Sequence, residues 1–168
     1  MKVLVIGAAG MVGRKLAERI VRDGSVGAGP VTGLTLYDVV VAETPKGAAF
    51  PIETLTGDLP APGETDKLVA ARPDVIFHLA AIVSGEAEQE FDKGYRINLA
   101  GTQNLLESVR RAYDGARAKP RLVFTSSIAV FGAPFPDRIG DEFFSTPLTS
   151  YGTQKAIGEL LLADYTRK

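Results

Sequence analysis

Residues 2–7 read KVLVIG, an unbroken apolar run with three β-branched side chains. A strand buried on both faces has no polar side to alternate with and reads in this way. After a cluster of glycines, MVGRKLAERIVRDG repeats Val12, Leu16, Ile20 and Val21 at helical spacing and closes on Gly24. SVGAGPVTG reads as a loop, LTLYDVV as a second strand, and KGAAF leads into a third, PIETLTGDL. PAPGETDKLVAAR supplies a loop and a short helix, and PDVIFHLAA a fourth buried strand. From about Glu86 to Tyr113 the pattern is helical, with Ile97, Leu105 and Val109 among its apolar positions. PRLVFTSS is a fifth strand, a loop rich in Phe, Gly and Pro covers 131–147, and the last helix begins near Thr149. Strands alternating with helices predict an α/β protein built on a parallel sheet covered on both faces. An all-β fold is excluded by the length of the helical segment from Glu86.

Composition narrows the function classes more than it changes this picture. The 168 residues suffice for one domain with its own core. A net charge of -1 gives no general attraction to nucleic acid or anionic membrane. The absence of Cys removes disulfides, thiolate catalysis and Cys-based metal sites, and a single His, His78, argues against zinc. The N-terminal apolar run meets glycine too early for a signal peptide or a membrane span. A soluble cytoplasmic protein without metal, membrane or nucleic-acid partner is expected.

The first chemical signal is GAAGMVG, which places Gly7, Gly10 and Gly13 between the first strand and the first helix. The chain must turn tightly at Gly7, admit a pyrophosphate to the backbone at Gly10, and pack helix on strand at Gly13. The first helical amides, those of Met11 and Val12, then face the phosphates at the positive end of the helix dipole. Alone the motif is weak; its place at the first strand–helix junction strengthens it. Asp38, at the end of LTLYD, lies where a carboxylate accepts from the adenosine ribose hydroxyls and repels a 2′-phosphate, which favours NAD over NADP. Arg14 is read either as a solvated helix residue or as a contact to such a phosphate. Asp58, followed by Leu59, is read either as a partner of the adenine amino group or as a turn residue. Leu79, Ala80 and Ala81 after the fourth strand leave room for a flat cofactor. His78 between them and the core reads as a core histidine.

The second signal is SYGTQK, which sets Tyr151 and Lys155 four apart on one helix face, about 6 Å along the axis. A free phenol titrates near pH ~10, and an adjacent ammonium favours its ionised form. Such a tyrosine can take the proton of a substrate hydroxyl as hydride leaves the same carbon. A partner hydroxyl is available at Ser126 or Ser127, at the carboxyl end of the fifth strand, the edge where ligands sit in open parallel sheets. Tyr-x-x-x-Lys on its own is a common accident; with the glycine turn and Asp38 in this order it predicts a Rossmann-type doubly wound sheet with NAD-dependent hydride chemistry.

In GAAGMVG, TGDL, HLAA, NLAGTQNLL, TSSIAVFG and YGTQK the chain resembles the extended short-chain dehydrogenase/reductases, the NAD-dependent epimerase/dehydratase family, from Lys2 to the last helix. The resemblance implies a catalytic hydroxyl at Ser127, a supporting one at Ser126, and a second role for Lys155 on the nicotinamide ribose. It puts Asn98 at the family's N-x-x-G-T asparagine, either beside the cofactor or as a buried amide pinning helix to sheet. Long segments such as DEFFSTPLTSYGTQKAIGELLLADY are similar to the D-erythronate dehydrogenases within the family, which implies oxidation of the C2 hydroxyl of a four-carbon sugar acid. A sugar-nucleotide epimerase or dehydratase, and an NAD-binding module without turnover, are the alternatives. Ser84 is a candidate substrate contact or a solvated loop serine. The resemblance further implies a homodimer through the helix from Glu86 and the last helix, and a C-terminal substrate domain mostly missing here, so that 1–168 is read as the NAD-binding domain of a longer enzyme.

Overall fold

The computed structural model describes all 168 residues. The chain forms two compact units, Met1–Ala80 with Glu107–Thr125, and Ala81–Leu106 with Ser126–Lys168.

The first unit holds the sheet. Strands β1 (Lys2–Ile6), β4 (Gly33–Asp38), β5 (Ile52–Thr56), β6 (Val75–His78) and β7 (Arg121–Phe124) lie in the order β5-β4-β1-β6-β7 and are parallel throughout. The chain winds outward from β1 through β4 to β5, then returns to the other side of β1 at β6, so the order reverses between β1 and β6. In open sheets that reversal opens a ligand crevice at the carboxyl ends of the strands. Val3 and Val5 face one side and Leu4 and Ile6 the other, all buried, which is why no polar residue interrupts β1. Helix α1 (Met11–Asp23) covers the face formed by Val3, Val5, Leu34, Leu36 and Val75. Helix α2 (Glu64–Ala70) buries Leu68 and Val69.

Several elements differ from the sequence expectation. The 25–33 loop carries a short hairpin, β2 (Ser25–Val26) with β3 (Gly29–Pro30), turning at Gly27 with φ 59°. The second strand stops at Asp38, and Val39 to Val41 are exposed. In α1, Val12 is 53% exposed; the core face is Gly13, Ala17, Ile20 and Val21. Ile20 and Val21 are buried as expected and Leu16 packs partly buried against the core, while the small Gly13 and Ala17 take the remaining buried positions.

The second unit is helical. The stretch expected from Glu86 opens earlier and is broken: α3 (Ser84–Gln89) ends at Glu90, whose φ of −115° and ψ of 71° are not helical, and α4 (Phe91–Gly94) follows. A widened π turn over Tyr95–Ala100 leads into α5 (Gly101–Ala112). A short 3-10 turn spans Ile128–Val130. Helix α6 (Ser150–Thr166) is capped by Thr149, whose side chain accepts from the Gly152 amide, while Glu88 of α3 accepts the Ser150 amide at 2.9 Å. The leucines of α6 do not form its buried face. Its buried residues are Gly152, Gln154, Lys155, Ala156 and Gly158, and Leu160 is exposed.

Candidate functional site

In the first unit the candidate residues gather where β1 meets α1. Gly7 has φ 90°, and a Cβ there would lie 2.6 Å from the Ala80 nitrogen. A Cβ on Gly13 would lie 2.2 Å from the Gly7 carbonyl oxygen. Both are glycine because the protein leaves no space. Gly10 is different: its φ of −68° and ψ of 164° suit any residue, and an added Cβ would touch only the Gly7 oxygen, at 3.4 Å. No side chain caps α1 and its first turn has no acidic residue, so the amides at Met11 and Val12 keep their donors and their positive field. Both of these side chains are exposed.

Asp38 ends β4 beside this turn. One carboxylate oxygen accepts from the Ala9 amide at 2.8 Å and the other from the Val39 amide at 2.7 Å. Each oxygen keeps a second lone pair. Asp58 and Leu59 follow β5, where the Asp58 carbonyl accepts the Ala61 amide and Leu59 is buried. Gly57 is held open by its neighbours, since a Cβ would meet Glu64 and the Tyr37 hydroxyl. That hydroxyl donates to Glu64 at 3.1 Å, and burial, with the carboxylate beside it, pushes the Tyr37 phenol well above its ordinary range. Leu79 and Ala80 continue β6, with Leu79 bonded to the Ile6 carbonyl. His78 is buried against Phe124, with ring centroids 5.7 Å apart. Arg14 lies on the exposed side of α1, in a groove with Glu18 and Lys46.

In the second unit, Asn98 is the centre of a buried amide chain. Its Oδ1 accepts from the Ile82 amide at 2.9 Å, and its Nδ2 donates to the Ile82 carbonyl at 3.1 Å and to Gln154 Oε1 at 2.8 Å. The segment following Ala81 is thereby tied to the helix that carries Tyr151 and Lys155. The π turn places Asn98 on its buried side, a recurrent use of such widened turns. Gln154 is fully buried, and its Nε2 packs where a Cβ on Gly94 would lie, 2.7 Å away.

Lys155 is 3% exposed, and burial lowers its pKa from the ordinary 10.5 to about 8. Its Nζ lies 5.7 Å from the centre of the half-buried Tyr151 ring. Ser127 is extended, with its Oγ accepting the Ala129 amide at 3.2 Å, so its own O–H remains a donor. Ser126 donates its hydroxyl to Glu159, one helical turn beyond Lys155. Ser84 opens α3 and is exposed. The sequence reading missed Glu159, Gln154 and Glu88; the signal for Glu159 was its spacing, eight residues after Tyr151.

The model of the NAD dependent epimerase/dehydratase family matches residues 3–168. The chain belongs to this family. Two curated D-erythronate dehydrogenases are each 40% identical to it over the whole chain, one from Cupriavidus necator and one from Haemophilus influenzae. The chain spans about half the length of the curated relatives it matches, 51% in both cases. Among solved structures, a nucleoside-diphosphate-sugar epimerase from Agrobacterium tumefaciens is 64% identical with a TM-score of 0.96, covering 99% of this chain and 49% of that one. The UDP-glucose 4-epimerase of Brucella ovis in complex with NAD is 28% identical with a TM-score of 0.80, covering 99% and 48%. For this family member, the residues present fit a dinucleotide: an uncapped helix start, a glycine at Gly10 that the protein itself does not require, and an aspartate with lone pairs to spare. No helix is long and apolar enough to cross a membrane.

Proposed function

We propose that the chain forms the NAD-binding and catalytic part of a dehydrogenase that oxidises the C2 hydroxyl of a four-carbon sugar acid, D-erythronate, to the 2-oxo acid. The observation that carries the chemistry is the Tyr151–Lys155 face of α6, with a lysine buried at a cost beside a tyrosine ring. The 40% identity to two D-erythronate dehydrogenases supports the substrate class.

In this reading the amides at Met11 and Val12 and the gap at Gly10 hold the pyrophosphate, and Asp38 holds the adenosine ribose. Asp58, Leu59, Leu79, Ala80, Ala81 and Asn98 border the cofactor. NAD, when bound, supplies the hydride acceptor. Ser127 donates its O–H to the substrate's reacting oxygen, and Tyr151 takes the proton of the substrate hydroxyl. Lys155, as an ammonium, favours the ionised phenol that this transfer needs and holds the nicotinamide ribose. Ser84 and Ser126 are assigned to the substrate side. A homodimer through the helices of the second unit belongs to the same proposal, and light scattering tests it.

NADH formation from a panel of sugar acids and sugar nucleotides is the test. Erythronate-dependent NADH accumulation is expected, and Tyr151→Phe is expected to lower turnover by about 10²–10⁴-fold with NAD binding retained. Turnover that survives Tyr151→Phe refutes the base assignment. The second reading, a sugar-nucleotide epimerase, is favoured by the 64% identical Agrobacterium structure. It predicts conversion of a sugar nucleotide without net NADH.

A further inference from the structure

Tyr151, Lys155 and Glu159 stand at i, i+4 and i+8 of α6 and so fall within about 80° of arc on one face. Ser126 and Ser127 directly precede the 3-10 turn Ile128–Val130. The Ser126 hydroxyl donates to Glu159, a contact across 33 residues of chain. Two turns earlier on the helix, the 3-10 turn that follows Ser127 is seated a second time. The Ala129 carbonyl lies so close to Gly152 that a Cβ there would come within 2.1 Å of the oxygen. Gly152 and Glu159 are seven residues apart, about 10 Å along the axis, and Lys155 lies between them. The segment that carries Ser127 is thus fixed to α6 at two points that bracket Lys155.

We propose that Glu159 is a positioning residue, a latch that accepts the Ser126 hydroxyl and thereby holds the Ser127 hydroxyl in register with Tyr151. The inference rests on the reading that Ser127 and Tyr151 act on the substrate. It assigns Ser126 a task that its exposure alone does not suggest. A serine next to the catalytic hydroxyl, on a segment outside the sheet, has no strand partner to fix it. The carboxylate of Glu159 supplies that partner, and hydrogen bonds to a charged acceptor are stronger than neutral ones. Ser127 itself caps the Ala129 amide, so rotation of Ser126 away from α6 would move the cap and redirect the Ser127 O–H. A small misplacement of an orienting group is enough to lower a chemical rate by orders of magnitude.

The test uses the full chain with Glu159→Leu, Glu159→Gln, Ser126→Ala and the Ser126→Ala/Glu159→Leu double variant, read in two ways. Amide hydrogen exchange across 127–132 is expected to rise about tenfold in Glu159→Leu and in Ser126→Ala, the loss expected for one charged hydrogen bond. The double variant is expected to rise no further, and Glu159→Gln, which still offers an acceptor, to stay near wild type, with α6 amides unchanged in all four. Turnover is expected to fall about tenfold in Glu159→Leu with KM for NAD unchanged, and to recover in Glu159→Gln. Wild-type exchange in Glu159→Leu, or a Glu159→Gln as defective as Glu159→Leu, overturns the latch. Turnover surviving Tyr151→Phe brings down the catalytic reading beneath it. Full turnover and unchanged exchange in Glu159→Leu, with Tyr151→Phe inactive, brings down the latch alone.

Discussion

Replacing Lys155 with methionine is expected to stabilise the protein while abolishing its activity. Lys155 is buried, and burial alone takes its pKa from 10.5 to about 8. An ionised group whose pKa is lowered by folding is one the fold would rather have neutral. The sign follows from proton counting. Below pH 8 both the folded and the unfolded chain carry the proton, and the whole cost of burying the charge is present. Between pH 8 and 10.5 the unfolded chain holds more protons than the folded one, so this group's contribution to stability rises with pH until the cost is gone. A shift of this size corresponds to about 3 kcal/mol at pH 7 and under about 1 kcal/mol at pH 10. Methionine fills a similar volume and carries no charge. Urea unfolding of wild type and Lys155→Met at pH 7 and pH 10 measures the difference through the midpoint at constant slope. Lys155→Met is expected to be more stable by about 3 kcal/mol at pH 7, with most of the gain lost at pH 10 as the wild type catches up. A Lys155→Met chain that is less stable at pH 7, or whose advantage does not shrink with pH, refutes the reasoning.

The glycines of the first turn separate in the same kind of experiment. Gly13→Ala is expected to cost about 3–5 kcal/mol, because its Cβ would strike the Gly7 carbonyl, measured by thermal or urea unfolding. Gly10→Ala is expected to stay within about 1 kcal/mol of wild type yet to lose at least about tenfold in NAD affinity by calorimetry, since only a ligand fills that space. Asp38→Asn turns an NH2 group toward one of the two amides that Asp38 now accepts, whichever way it is oriented. A stability loss of about 2 kcal/mol and weaker NAD binding are expected. Asn98→Leu leaves the Ile82 amide and Gln154 Oε1 without their partner and is expected to destabilise by about 3 kcal/mol, read by unfolding.

Five parallel strands and their alternation with helices are legible in the chain because β1 and β6 are apolar runs, β4, β5 and β7 are rich in apolar and β-branched residues, and glycine, proline or charge bounds each of them. The hairpin at Ser25–Pro30 is not legible: two-residue strands offer no run, and only Gly27 marks the turn. The break at Glu90 is equally silent, since EQEFDK has good helix formers on both sides. What interrupts the helix there is backbone geometry at one residue, followed by a π turn that brings Asn98 inward. Periodicity reports which residues are apolar, and α1 illustrates its limit. Gly13 and Ala17, which hydrophobic patterning weighs least, are buried, and the larger Val12 is left outside.

Helix α6 carries this limit further. Its leucines suggest an ordinary core stripe, but the residues it buries are two glycines, an alanine, an amide and an ammonium. Packing alone does not select such a face. Gly152 is required by the Ala129 carbonyl, and Gln154 by Asn98, which in turn holds the Ile82 backbone. Each of these choices has a partner within the second unit that explains it. At Lys155 burial of the charge itself opposes folding. A lysine buried at a cost beside the Tyr151 ring is where a requirement outside stability shows most directly. Gly10 is the counterpart in the first unit, a glycine the backbone does not need in a turn where Gly7 and Gly13 are both forced. The sequence motifs treat the three glycines alike and the Tyr–Lys pair as a spacing. Packing sets Gly10 apart from Gly7 and Gly13, and burial sets a cost on Lys155, the first suited to a phosphate and the second to the charge of an ionised phenol.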